Sequence, residues 1–289
     1  MKIEYNPDAL FIPLISDYGF KAVFGNEQNT LFLRKALQAL IRSETPIREV
    51  TFDKNAFEGI LKDSRGGYFD LSCVDEAGTH FIVEMQLGDQ ADFLQRMKFY
   101  ALHRLDTMVQ RGRFGYGNLS RIYCIGILAN NILPYADYHT VGNLRNERGE
   151  LLDEQLTFIV IELDKFNRTE TDVQTDLDKL LYTMKTIHTV QEPTQFPAFW
   201  TEEWLQVAID ELSKRNMTPE ERFAYVVTMS NNAEAVRQEK KRTEQAISEA
   251  KAEAVRRALR GGKLNVEEIA EYNGVPVDYV LKLKNEPTA

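Results

Sequence analysis

The chain has 289 residues, 43% of them apolar, two cysteines and a formal net charge of −9. That is enough for one large domain or two small ones with a real core, and too acidic overall for broad non-specific nucleic-acid affinity. Two cysteines exclude a cysteine-rich zinc site, no run approaches the roughly eighteen apolar residues of a membrane span, and Met1 to Leu10 carries acids and no apolar core, so no leader is visible and a reducing cytoplasm is expected.

Residues 17 to 41 read as helical. Asp17 can cap a short helix through Phe24, with Lys21 one turn along on the same face. Gly25-Asn26 breaks it, and Leu31, Phe32, Ala36, Leu37, Leu40 and Ile41 then recur at helical spacing over Glu27 to Ile41. Ile47 to Phe52 reads as a strand. Asp53 to Gly67 is polar and glycine-bearing, a mobile loop that would precede the central hairpin.

That hairpin is Tyr68 to Gln86. Phe69, Leu71 and Cys73 alternate with Tyr68, Asp70 and Ser72, and Phe81, Val83 and Met85 alternate with Ile82, Glu84 and Gln86. This is the period-two pattern of half-buried strands. Glu76-Ala77-Gly78 fits a three-residue turn with glycine in the left-handed position. Asp75 then faces Thr79, and counting back sets Asp70 opposite Glu84 and Tyr68 opposite Gln86. Opposed residues share a sheet face with Cβ atoms about 5 Å apart, so the two carboxylates repel. Such a pair protonates one member or binds a cation. A hard divalent ion such as Mg²⁺ suits it, with Mn²⁺ a substitute, because such ions take oxygen ligands and are held by one or two carboxylates plus water and phosphate. The plain alternative is a pair of acids on the wet face of a hairpin, and a one-residue slip would separate them.

Ala91 to Gly112 reads as a long helix with a stripe of Phe93, Leu94, Met97, Tyr100, Ala101, Leu105 and Met108. Gln95 and Arg96, in its first turns, would stand nearest the strand end that carries Gln86. Leu119 to Leu128 is nearly all apolar, as in a strand covered on both faces. Leu156 to Leu163 reads as another, with Tyr135 to Glu154 a polar hairpin or insertion between them. Both cysteines, Cys73 and Cys124, fall in apolar strand-like runs and read as inert core residues. From Asp172 the chain reads as helical, with Leu177, Leu180, Leu181 and Met184 periodic, then Phe199, Trp200, Trp204, Leu205 and Ile209 after Pro193 and Pro197. Pro219 opens a helix through Met229, and a charged helix runs from about Ala233 to Arg260. Asn265 with Glu268 forms a capping box, Gly274-Val275-Pro276 a turn, and Val277 to Lys284 a second short helix. Two segments oppose the acidic total: Gln95 to Arg113 has five Lys/Arg against one acid, and Arg237 to Lys263 has nine against four. Each is either a solvated helix surface or a face for phosphates.

The sequence Asp70, a turn, then Glu84-Met85-Gln86 resembles the Asp…Glu-X-Lys signature of the PD-(D/E)XK nuclease superfamily, and in particular its Rpn branch of recombination-promoting nucleases and transposases. Asp17-Tyr18-Gly19-Phe20-Lys21-Ala22-Val23-Phe24-Gly25 is similar to that family's opening motif. Gln95-Arg96-Met97-Lys98-Phe99-Tyr100 with Arg104 resembles its long helix, and Asn265 to Ala270 with Gly274 its tail. The likeness covers most of residues 10 to 165 and, more loosely, the tail. It implies an α/β restriction-endonuclease-like core with a mixed sheet, followed by an all-α region. The expected division is a nuclease-like domain over 1–170, a helical region over 171–232, a charged helix over 233–262 and a small helix-turn-helix-like tail over 263–289.

The resemblance implies a metal-dependent DNA endonuclease that promotes recombination. Asp70 and Glu84 would be metal ligands, Gln86 would position water in the place of the family's lysine, and Asp17 would be an outer ligand. Lys21, Arg96 and Arg104 would meet phosphate. Two other classes compete. One is a catalytically degenerate nuclease fold that binds DNA or protein, with a second copy pairing through the C-terminal helices; glutamine in the lysine position favours it. The other is a DNA-binding regulator working through residues 265 to 284.

Overall fold

The turn at Glu76-Ala77-Gly78 sets the register of the central hairpin. Gly78 has φ +79°, the left-handed conformation that only glycine adopts freely, and Asp75 N donates to Thr79 O at 3.0 Å. Asp75 Oδ1 also accepts from the N–H groups of Ala77 and Thr79. A computed structural model describes residues 9–53, 56–57, 67–88, 92–109, 115–262 and 264–285.

The elements follow in the order α1 (Asp17–Phe24), α2 (Leu31–Leu40), β1 (Val50–Phe52), β2 (Ala56–Phe57), β3 (Gly67–Tyr68), β4 (Leu71–Asp75), β5 (His80–Gln86), α3 (Phe93–Met108), β6 (Ile122–Leu128), β7 (His139–Arg145), β8 (Leu151–Glu162), α4 (Asp176–Thr186), α5 (Glu203–Leu212), α6 (Pro219–Gly261), α7 (Val266–Asn273) and α8 (Val277–Asn285). Six strands form one sheet in the order β1-β4-β5-β6-β8-β7, and β2-β3 form a separate pair. β5, β6 and β8 run parallel; the outer pairings are antiparallel. This is the mixed sheet that the sequence leads one to expect.

Several bounds differ from those expectations for local reasons. Ser16, not Asp17, caps α1: its hydroxyl accepts from Gly19 N at 3.0 Å. α2 starts at Leu31 rather than Glu27, because Asn26 Oδ1 takes the N–H groups of Gln28 and Asn29 and holds a turn there. β8 begins five residues early, since Leu151 to Gln155 extend beyond β6 as a ribbon with β7. Of the expected mobile loop, Ala56-Phe57 pairs with Gly67-Tyr68, and the β4–β5 ladder begins at Leu71↔Val83, without a Tyr68–Gln86 pair; residues 54–55 and 58–66 lie outside the described residues, as do Ala91 and residues 110–112 of the expected helix.

The hairpin is not half-buried. α3 lies over the face that carries Ile82, with Phe69, Phe93, Met97, Ala101, Cys124 and Leu128 in one cluster. On the opposite face, Phe81 and Val83 are fully buried, Phe81 stacking on Tyr123, and His139 Nε2 sits 2.8 Å from Leu40 O at the end of α2. Leu94, assigned to the buried stripe of α3, is 37% exposed.

α4 and α5 pack on α1 and α2. Phe32 stacks on Trp204, Phe11 meets Trp200, and Ile12 N donates to Leu212 O. One compact unit spans Met1–Tyr225 and a second spans Val226–Ala289. Where the proline at 219 and the charged run suggested two helices, α6 is one helix of 43 residues. The second unit has its own small core of Ala252, Val255, Ile269, Ala270, Val280 and Leu283. α7 carries the expected capping box, Asn265 and Glu268 exchanging hydrogen bonds at 2.8 Å, and Gly274 ends it at φ +54°. Among the described residues no helix is long and apolar enough to cross a membrane.

Candidate active site

The ladder Leu71↔Val83, Ser72↔Ile82, Cys73↔Phe81 is the register counted from the turn. Asp70 sits one residue beyond it, at a bend, next to Glu84. The two acids fasten each other's strands: Glu84 Oε1 accepts from Asp70 N at 3.3 Å, and Asp70 Oδ2 accepts from Met85 N at 2.8 Å. Glu84 is only 4% exposed. That burial removes the reading of two acids on a wet hairpin face.

What covers them is α3. Glu84 pairs across the sheet with Gly126 of β6, and a Cβ at position 126 would lie 2.5 Å from the Phe93 ring. The missing side chain lets the first turn of α3 lie directly on the sheet. Arg96, one turn on, stacks its guanidinium 5.7 Å from the Phe93 ring centre. Its Nη2 is 3.6 Å from Glu84 Oε2 and donates to Gln86 Oε1 at 3.5 Å.

Burial and then the neighbouring Asp70 push the Glu84 carboxyl up to about 8, against the pull of Arg96 and the Asp70 N–H. Asp70 is also raised, by burial first; the Met85 N–H opposes this, Asp17 adds to it, and Lys21 and Arg96 oppose it. Asp17 and Lys21 are thus near enough to act on Asp70. They are themselves an i,i+4 ion pair at 2.8 Å on the exposed side of α1.

Of the residues singled out from the sequence, then, Asp70, Glu84, Gln86 and Arg96 come together, with Asp17 and Lys21 beside them. Arg104 does not join them. It lies two turns further along α3, ion-paired with Asp53 and 2.8 Å from His80 Nδ1 at the opposite end of β5.

A buried Glu84 and a half-buried Asp70, each with one oxygen tied to backbone, fit a divalent cation: Asp70 and Glu84 would hold it, with water and phosphate as the remaining ligands. Among the described residues no group of three or more His, Cys, Asp or Glu is placed to hold a metal. A cavity of about 450 Å³ lies elsewhere, lined by Gln38, Arg42, Tyr138, Arg168, Asp176 and Asp178 among others. None of the paired acids or their neighbours lines it.

Two further buried acids went unremarked in the sequence. Glu162, fully buried at the end of β8, accepts from Ile132 N at 2.5 Å and Leu133 N at 2.9 Å and pairs with Lys165. Asp178 accepts from Thr175 N and Gln174 N and from Arg168 at 2.6 Å. The Thr175…Asp178 capping-box spacing was a signal for the second; for the first there was only an acid and a lysine three apart after an apolar strand.

A mixed α/β sheet that sets Asp70 beside Glu84-Met85-Gln86 is the arrangement of a nuclease-type fold. The family model described as PD-(D/E)XK nuclease family transposase matches residues 14–253, and the chain belongs to that family. This agrees with the branch suggested by the motifs. No curated protein and no solved structure matches the chain.

Proposed function

We propose that the protein is a divalent-metal-dependent DNA endonuclease that hydrolyses phosphodiester bonds, with Asp70 and Glu84 as metal ligands and Gln86 positioning the attacking water. The observation that carries this reading is the carboxyl pair, Glu84 buried and Asp70 half-buried, held together by each acid's bond to the other's strand, with both acids' ionisation disfavoured until a cation joins them. In the reaction a water oxygen bonds to phosphorus while the bond from phosphorus to one deoxyribose oxygen breaks; the water gives up a proton and the leaving oxygen takes one. Mg²⁺, when bound, would polarise the phosphate and acidify the water. Gln86 can orient that water through its amide, but it carries no charge and cannot act as a base. Asp17, beside Asp70, would serve as an outer ligand through water. A role in recombination follows from the family alone.

The test is plasmid cleavage with Mg²⁺, Mn²⁺, Ca²⁺ or EDTA, run beside Asp70→Ala and Glu84→Ala. Cleavage that needs Mg²⁺ or Mn²⁺ and vanishes in both variants supports the reading. Variants that cleave like the parent sink the assignment. Glutamine at position 86 favours one rival, a degenerate member that binds DNA without cutting it; clean protein that binds a duplex and is inert in every metal would establish that instead.

A further inference from the structure

The strand that carries Glu84 brings no positive charge to the site. Two carboxylates and a phosphate meet there, and the residue that ends the Glu-Met-Gln run is neutral. We propose that Arg96 supplies this charge, its guanidinium meeting the phosphate beside Asp70 and Glu84, so that the cationic role has moved from strand β5 to helix α3. The proposal rests on the nuclease reading and names the group that would hold the substrate there.

Three observations carry it. First, α3 holds Arg96 over the site with unusual directness: Gly126 admits Phe93 against the sheet, and the guanidinium lies over the Phe93 ring. Second, the guanidinium is present but under-committed. Its contacts to Glu84 and Gln86 are 3.6 and 3.5 Å, longer than a good charge-assisted bond of about 2.7–2.9 Å. Its Nε is buried with no hydrogen-bond partner among the described residues. A buried N–H left unpaired is destabilising, and a shift of the side chain onto an arriving phosphate oxygen would remove that penalty. Third, arginines that serve the fold in this chain look different: Arg168 reaches Asp178 at 2.6 Å, and Arg104 is closed onto Asp53 and His80. Lys21 is the other cation near Asp70, but it is paired with Asp17 at 2.8 Å and stands on the α1 side, away from Gln86. The planar guanidinium also suits two phosphate oxygens at once, which an ammonium does not.

The experiment measures binding of a short DNA duplex by the full chain across a salt series, in Ca²⁺ and in EDTA, for the parent, Arg96→Met, Arg96→Lys and Arg96→Met with Gln86→Lys. Loss of one phosphate contact lowers the slope of log K against log salt by about one, with affinity about tenfold weaker at low salt. Arg96→Met is expected to show that loss, Arg96→Lys to keep the slope, and the double variant to recover it from the strand position. Circular dichroism of Arg96→Lys and the double variant guards against a mere loss of fold. An Arg96→Met protein with the parent's slope overturns the proposal. A parent that binds with the expected slopes but cuts in no metal sinks the nuclease reading and leaves the charge assignment standing; a parent that binds no duplex overturns both.

Discussion

Glu84 and Asp178 are both buried acids facing an arginine, and the chain treats them in opposite ways. Asp178 is saturated. Burial alone would raise its pKa, but the Thr175 backbone and hydroxyl, Gln174 N–H and Arg168 together hold it below the usual carboxylate range. Glu162 is handled similarly, with two backbone donors and a lysine. Glu84 has one backbone donor at 3.3 Å, an arginine at 3.6 Å and a second acid beside it. Saturated acids fasten the Ile132-Leu133 loop and the α4 start; the unsaturated one has its ionisation disfavoured and holds its proton up to about 8. A buried acid left in that condition, in a fold that satisfies comparable groups elsewhere, is the reason the proposed metal ligands are sought here and not at Asp178 or Glu162.

The contrast can be broken by substitution. Glu84→Ala should lower metal-dependent cleavage about a thousandfold, the several kcal/mol of a lost metal ligand, while thermal unfolding stays at or above the parent's. Glu162→Ala should do the reverse: with two N–H groups and Lys165 stranded, denaturant unfolding should show a loss of about 3–5 kcal/mol. If Glu162→Ala leaves stability intact, the division between structural and functional acids fails.

The pH dependence sharpens the same division. With a folded-state value of about 8 against an ordinary 4.5, Glu84 binds a proton more tightly in the folded protein. Its contribution to stability is fully present below 4.5 and is lost as pH rises through about 8. In EDTA, parent stability should therefore fall by about 2–4 kcal/mol across that window relative to Glu84→Gln, which has no such proton to lose. Saturating Mg²⁺ should abolish the difference by replacing the proton; equal pH profiles for the two proteins would argue against it. The smallest effect expected is from Gly126→Ala. Pushing Phe93 off the sheet should cost about 1–3 kcal/mol, and should weaken duplex binding as well, because Arg96 rides on the same turn. A destabilised variant with unchanged duplex affinity would detach Arg96 from that support.

Much of the frame was legible in the residues themselves. The Glu76-Ala77-Gly78 turn and the period-two alternation on either side determine the hairpin register, because a tight turn admits few pairings and a slip would turn every side chain over. That alone set Asp70 against Glu84. The apolar runs around Cys124 and Ile159 likewise announce strands covered on both faces. The sequence could not say that Glu84 is buried, since that depends on α3 lying across it and on Gly126 allowing the approach. Nor could it separate Arg96 from Arg104, two basic residues of one helix. Only the packing of α3 along β5 sends the first to Gln86 and the second to His80, because a helix spans the strand end to end and each arginine meets whatever the sheet presents beneath its own turn. Local pattern determines pairing within a hairpin; which groups are buried, and which charge reaches them, is decided by surfaces that come together from distant parts of the chain.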